Sequence, residues 1–396
     1  MEIKYEYILC RYGELVLKGK NRRDFINALL RNTKAALADF KNLSYEARHD
    51  GLYIHLNGED FFKIKPLLEK VFGFVHFSGA IACDLDIEKI AKTALYLAQN
   101  AKAKTFKVVA KRQDKRFSLN SDAINRQVAG VILRNTDLKV DVHDPDLKLY
   151  ITILSDKAYI MDEKIPGAQG FPVGINGRAL CFLSGGIDSP ISAYLTMKKG
   201  LRVEFIHFAS MPYTSKQALD KVKELAKILS VYEEEAILHI VPFTDLQLAI
   251  YEHADESYAI TIMRRMMYRI GDRLAKKRHI TLITNGESVG QVASQTIESL
   301  SVISSVASSL VIRPLAMMDK SEIMVLARKI GTYDTSILPY DDCCTIFEPK
   351  NPVTKPKLDK CEYYESKFDY ETLIEDCLNK IETIKITNKE KDDDIF

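Results

Sequence analysis

The feature that most restricts the fold is a five-residue apolar run, Ala179-Leu180-Cys181-Phe182-Leu183, followed directly by Ser184-Gly185-Gly186-Ile187-Asp188-Ser189-Pro190. A short apolar run bounded by turn residues is the pattern of a strand buried on both faces, as in parallel sheets covered by helices. Two glycines let the backbone turn tightly, and a proline suits the first helical turn, where its missing N–H costs nothing. The run therefore predicts a strand, a tight loop and a helix beginning at Pro190. Regular alternation follows: PISAYLTMKK, RVEFIHF, SKQALDKVKELAKIL, AILHIVP, one long helix through Arg273, then HITLIT. That order calls for a parallel sheet with right-handed crossovers.

Upstream, DEKIPGAQGFPVGINGR (Asp162 to Arg178) is rich in proline and glycine and reads as a linker. Before it, YEYILCRYGE, GLYIHL, TFKVVAK and KLYITIL read as strands among helical stretches such as RRDFINALLRNTKAAL and DIEKIAKTALYLAQN, an α+β pattern. The expected division is 1–58, 59–165, a linker 166–178, an α/β domain 179–385 and an acidic tail 386–396. Hydrophobic residues at 46% and charged residues at 28% exclude global disorder. No run approaches the roughly 18 apolar residues of a membrane span, and the N-terminus lacks a signal peptide's pattern, so no membrane partner and a cytoplasmic setting are expected. Seven cysteines form no CxxC pair and eight histidines no HExxH, which argues against a structural zinc site.

Net charge is only +2, and it is the clustering of charge that is informative. Arg11 to Arg23, with Lys18, Lys20 and Arg22, and Lys102 to Arg116, with Lys111, Arg112, Lys115 and Arg116, are basic. Dense Lys and Arg on a strand and loop suit nucleic-acid phosphates, although a solvated face accounts for either stretch taken alone.

The glycine loop puts bare N–H groups and a helix N-terminus in reach of an anion. Its plainer reading is a cap, with Asp188 or Ser189 serving only the helix. Taken whole, SGGIDS resembles the PP-loop of ATP-cleaving adenylating enzymes, which fixes the chemistry of ATP but not the acceptor. The run GELVLKGKN fails as a phosphate loop, because Gly13 is one position too far from Gly19 and Asn21 stands where Ser or Thr is needed.

Other segments choose the acceptor. RYGELVLKGKNRRDF, FKVVAKRQDKRFSLNSDAINRQVAGVIL, TNGESVGQVASQT, RPLAMMDKSEI and LPYDDCCTIFEPKNPVTKP occur in the order found in the tRNA 4-thiouridine synthetase family, which the chain resembles over nearly its whole length. The resemblance implies an N-terminal ferredoxin-like domain, a THUMP RNA-binding domain and a PP-loop domain of the adenine nucleotide α-hydrolase type. It implies the short form without a C-terminal rhodanese-like domain, to which the family's thiamine thiazole role belongs. The implied reaction replaces O4 of the uridine at the eighth position of tRNA with sulfur, through adenylation and a persulfide loaded by a cysteine desulfurase.

Carried over residue by residue, the resemblance places Phe182, Leu183, His207 and Phe208 around the adenosine and Ser184, Gly185, Gly186 and Ser189 on the phosphates. Asp188 would orient magnesium. Arg264, or Arg265 in its place, with Gly286 and Gln295 would complete the nucleotide pocket, and Lys320 would neutralise the α-phosphate. Cys344 would carry the persulfide with Cys343 beside it, and Cys361, Cys377 or an external reductant would resolve it. ATP, magnesium, tRNA and the desulfurase are thus the expected cofactors and partners, and a homodimer is left open. The competing readings are another PP-loop ligase or thiolase, and a tRNA-binding module with a degenerate nucleotide site. A THUMP-bearing methyltransferase is disfavoured by the lack of a GxGxxG-like loop.

Overall fold

The computed structural model describes residues 3–14, 19, 21–340 and 351–387, and it divides into two compact units, residues 1–172 and 173–396. In the first unit the elements are β1 (Tyr7–Tyr12), α1 (Arg22–Ala36), β2 (Ser44–Ala47), β3 (Gly51–His55), α2 (Phe61–Leu68) and β4 (Phe74–Cys83). Then come α3 (Ile87–Asn100), β5 (Thr105–Arg112), α4 (Ser121–Asn135), β6 (Lys139–Val140), β7 (Leu147–Ile153), β8 (Ala158–Met161) and β9 (Ile165–Pro166).

All nine strands form one sheet in the order β2-β3-β1-β4-β8-β7-β5-β6, with β9 against β4. The ten-residue β4 is the joint: Phe74 to Ala80 pair antiparallel with β1, and Ile81 to Cys83 pair antiparallel with β8. The divide expected after residue 58 falls ahead of α2 and β4. Ile165 and Pro166, at the start of the Pro/Gly-rich stretch, lie in the sheet as β9. Helix α3 starts where Asp86 accepts from the N–H groups of Glu88 and Lys89, and α4 where Asn120 accepts from that of Ala123. Their apolar residues, among them Ile90, Leu97, Ile124 and Val128, bury against Phe106, Leu149 and Ile151 of the strands.

The second unit runs β10 (Arg178–Phe182), α5 (Asp188–Lys198), β11 (Arg202–Ala209), α6 (Lys216–Ser230), β12 (Ala236–Pro242), α7 (Thr244–His253), α8 (Glu256–Lys277) and β13 (Leu282–Thr284). It continues with α9 (Ile297–Ser304), β14 (Leu310–Ile312), α10 (Lys320–Ile330), α11 (Tyr333–Ser336), α12 (Leu358–Glu365), α13 (Tyr370–Asn379) and β15 (Glu382–Ile386). The sheet order is β14-β13-β10-β11-β12-β15, parallel except for the antiparallel edge strand β15. Helices α5, α6, α10 and α11 associate in one layer, and α7, α8, α9, α12 and α13 in another.

Three expectations need correction. Helix α5 begins at Asp188, two residues before Pro190, which therefore sits within the first turn. The single long helix expected after β12 is two, because Asp255 starts a new one by accepting from the N–H of Ser257. Strand β15 has no counterpart among the expected strands.

From β10 the chain builds outward through β11 and β12, then returns to build β13 and β14 on the other side. The order thus reverses between β10 and β13, and open α/β sheets bind ligands outside the carboxyl ends of strands at such a point. Hydroxyl contacts fix this junction: Thr284 Oγ1 at the end of β13 lies 3.1 Å from Ser192 Oγ and 3.3 Å from Thr196 Oγ1, both on α5.

Candidate functional site

A cavity of about 250 Å³ opens at that reversal. Phe182, Leu183, Ser184, Asp188 and Ser189 form one wall, and His207 and Phe208 continue it from β11. Opposite stand Arg264, Met267 and Tyr268 of α8 and the loop residues Asn285, Gly286, Glu287 and Gln295. Gly185 and Gly186 shape the turn without lining the cavity.

The loop is held by its own serines. The backbone N–H of Ser184 donates to Ser189 Oγ at 2.9 Å, and Ser189 Oγ donates to the Ser184 carbonyl at 3.1 Å. Gly186 N–H donates to Ser184 Oγ at 3.3 Å. Ser189 is therefore spent on closing the loop, and no side chain caps α5, which sets aside the plain capping reading. Gly286 is required by close approach: a Cβ there would lie 2.6 Å from Ser189 N and 2.8 Å from the Asp188 carbonyl carbon. Any side chain would push the β13 loop off the start of α5.

Asp188 faces out of this turn. Lys320 Nζ donates to its Oδ1 at 2.6 Å across 132 residues, and Gln291 Nε2 donates to its Oδ2 at 2.9 Å. Lys320 occupies the first position of α10, behind the capping box of Asp319 and Glu322. A cation is disfavoured at a helix N-terminus, so its place is explained by the carboxylate it reaches and not by its own helix.

The aromatic wall is interlocked. The Phe182 ring lies 5.6 Å from that of Phe208 and 5.3 Å from that of Tyr268. His207 is buried, and its Nδ1 lies 3.0 Å from the Leu183 carbonyl, which can only accept, so that nitrogen carries the proton. Gln295 is 7% exposed, and its Oε1 is buried without a hydrogen-bond partner among the described residues.

The two adjacent arginines have opposite fates. Arg264 lines the cavity, with Nη1 donating to Glu287 Oε1 at 3.1 Å. Arg265 is only 1% exposed, and its guanidinium is used on Glu365 Oε1 and Oε2, at 2.5 and 3.0 Å, and on the Val302 carbonyl at 2.7 Å. Arg265 ties α8 to α12 and cannot stand in for Arg264.

Sequence reasoning missed the group behind Arg264. Glu287 Oε2 accepts from Arg313 Nε at 2.7 Å, from Tyr268 Oη at 2.9 Å and from Asn285 Nδ2 at 2.9 Å. Burial alone would raise the Glu287 pKa, but the guanidiniums of Arg264 and Arg313 outweigh it and the carboxyl is held below its ordinary value. Burial, then Glu287, hold the Tyr268 phenol well above its own, so it stays a donor. The available signal was a charge at the carboxyl end of each of two short strands, Glu287 after β13 and Arg313 after β14.

The cysteines divide. Cys343 and Cys344 lie outside the described residues. Cys361 is fully buried and Cys377 nearly so, and burial pushes both thiols up to about 11. Both thiols are withdrawn from solvent. Among the described residues no group of three or more His, Cys, Asp or Glu gathers for a metal, and no helix is long and apolar enough to cross a membrane.

In the first unit Lys18 and Lys20 lie outside the described residues. Arg22 is half-buried, with Nη1 3.0 Å from His49 Nε2. Arg112 is turned inward, Nη1 donating to the Phe117 carbonyl at 2.9 Å. Lys111, Lys115 and Arg116 are exposed, the last paired with Asp114 at 2.7 Å.

Family comparisons agree with this architecture. The ThiI ferredoxin-like domain matches residues 7–78, the THUMP domain residues 85–162, and the family described as thiamine biosynthesis protein (ThiI) residues 174–370. A solved 4-thiouridine synthetase, in complex with RNA and with bound ATP, is 34% identical, covers 97% of this chain and 100% of its own, and superposes with a TM-score of 0.88. PH1313 from Pyrococcus horikoshii Ot3, 23% identical over 82% of this chain and 99% of its own with a TM-score of 0.64, shares the fold. The chain belongs to the ThiI family.

Proposed function

We propose that this chain is an ATP-dependent tRNA sulfurtransferase that makes 4-thiouridine. The observation that carries the reading is the convergence on one cavity of the SGGIDS loop, Arg264 and the orphaned acceptor Gln295 Oε1, with Lys320 reaching Asp188 at its edge. A 34% identical relative holds RNA and ATP, and this chain covers it entirely. A buried acceptor without a donor is costly, and a donor on the nucleotide base relieves it.

The turn formed by Ser184, Gly185, Gly186 and Ser189 at the start of α5 cradles the phosphates, and Phe182, Leu183, His207 and Phe208 bind the adenosine. Asp188 fits magnesium, which takes one or two carboxylates together with phosphate oxygens and supplies charge neutralisation there. Lys320 steadies the α-phosphate as charge develops on it. Uridine O4 attacks the α-phosphorus, and the bond to the β-phosphoryl oxygen breaks to release pyrophosphate. The terminal sulfur of a persulfide on Cys344, supplied by a cysteine desulfurase, attacks C4. The C4–O4 bond breaks, and AMP leaves with O4. A thiol reductant then cleaves the C4–S–S–Cys bridge, supplying two electrons and leaving the thiocarbonyl. With Cys361 and Cys377 buried, that thiol comes from outside the described residues or from a separate reductant, as a reducing cytoplasm provides.

Two assays test this. Pyrophosphate exchange into ATP that depends on tRNA tests adenylation, and nucleoside mass spectrometry tests the product. Cys344→Ser abolishes 4-thiouridine and retains exchange. Exchange with a small acid in place of tRNA would mark another PP-loop ligase, and no exchange at all would mark a binding module. Lys111 and Lys115 contact phosphates, so neutralising either makes the log–log salt slope of tRNA affinity shallower by about one unit. An unchanged slope would return them to a solvated face.

A further inference from the structure

Glu287 sits at the centre of a buried set of donors in which two guanidiniums share one carboxylate. Arg264 and Arg313 bring two positive charges against one negative, so the set keeps a surplus of one positive charge beside the cavity. Asn285 and Arg313, partners of Glu287, are themselves constrained. Asn285 Oδ1 accepts from the N–H of Glu287 at 3.1 Å, and Arg313 Nη2 reaches Tyr268 Oη at 3.2 Å and the Leu300 carbonyl at 3.4 Å. Arg264, by contrast, uses Nη1 alone on Glu287 and faces the cavity. Arg313 does not reach the cavity wall.

We infer that Glu287 and Arg313 are positioning residues that fix the Arg264 guanidinium against the bound nucleotide, with Arg313 supplying the charge that keeps Arg264 from being neutralised. Without Arg313, Glu287 and Arg264 form a neutral pair, and Arg264 is drawn toward the carboxylate in place of the ligand. Without Glu287, two buried guanidiniums repel each other and neither has a fixed direction. A planar guanidinium offers its donors in a rigid fork, so an anchored edge determines where the remaining donors point. This inference rests on reading the cavity as the nucleotide site.

The test uses the full chain and ATP. Titration calorimetry on Arg313→Met gives roughly tenfold weaker binding, the size expected for a hydrogen bond to a charged group, although Arg313 touches no ligand. In steady state KM for ATP rises while kcat stays within about twofold. Arg313→Lys keeps the charge and recovers part of the affinity, which also serves if Arg313→Met fails to fold. Arg264→Met/Arg313→Met binds no more weakly than Arg264→Met alone, because both act through one guanidinium. Unchanged affinity in folded Arg313→Met, or additive losses in the double variant, overturns the inference. A wild-type chain that does not bind ATP overturns the nucleotide-site reading instead.

Discussion

The two ends of the parallel sheet hold the same kind of device put to different use. At the amino end Glu204 of β11, 1% exposed, gathers Arg178, Arg278 and His239. At the carboxyl end Glu287 gathers Arg264, Arg313 and Tyr268. Each is a buried carboxylate between two guanidiniums and a ring. At the amino end His239 Nε2 lies 3.0 Å from Glu204 and its Nδ1 lies 2.8 Å from Thr383 Oγ1 on β15, so the set closes on itself. At the carboxyl end Arg264 keeps donors turned to a cavity. A buried ion cluster is thus no mark of function by itself, and what separates these two is the cavity that Arg264 lines, since Arg178 and Arg278 at the amino end are themselves 38% exposed.

The largest effect expected from breaking this comparison is on stability at the amino end. Glu204→Leu leaves His239 and two guanidiniums without their acceptor and lowers stability by about 3 kcal/mol, read by denaturant unfolding, while the folded fraction binds ATP as before. Weakened ATP binding in that fraction would mean the two ends are not independent. Next is Lys320→Ala, which slows adenylation on the order of 100-fold and hardly moves the melting curve, since the Lys320–Asp188 pair is 42% and 22% exposed. A large drop in melting temperature would make that pair structural.

A third effect is a pH dependence. Burial, with Arg278 and Arg178 beside it, pushes His239 down to about 4. Its folded pKa is therefore below the unfolded value near 6.5, so its contribution is complete above about 6.5 and is lost as pH falls from there toward about 4. The loss is at most about 1.4 kcal/mol per pH unit. His239→Asn flattens that limb of the stability curve, and an unchanged limb assigns the acid sensitivity to other groups.

What could be read beforehand follows the range of the interactions. The SGGIDS turn is local, a strand end and a helix start within seven residues, and it was legible. Arg264 and Arg265 were not separable, because consecutive residues on a helix point about 100° apart and only tertiary packing decides which meets Glu365. Glu287 and Arg313 escaped because their meaning depends on each other across two strand ends. The break before α8 had a signal, Asp255 ahead of Glu256, that yielded to a continuous apolar pattern. Strand β15 escaped because ETIKI is exposed along one edge and takes its identity from β12.

Strand β4 makes a splint of the first unit. Ten residues at a rise of about 3.3 Å each span roughly 33 Å, and the ferredoxin-like and THUMP halves are bonded to the two ends of that one rod. One continuous strand therefore sets the placement of the two halves within this sheet. A chain cut within β4 would leave β8 or β1 with a bare edge, the kind of edge that recruits other strands.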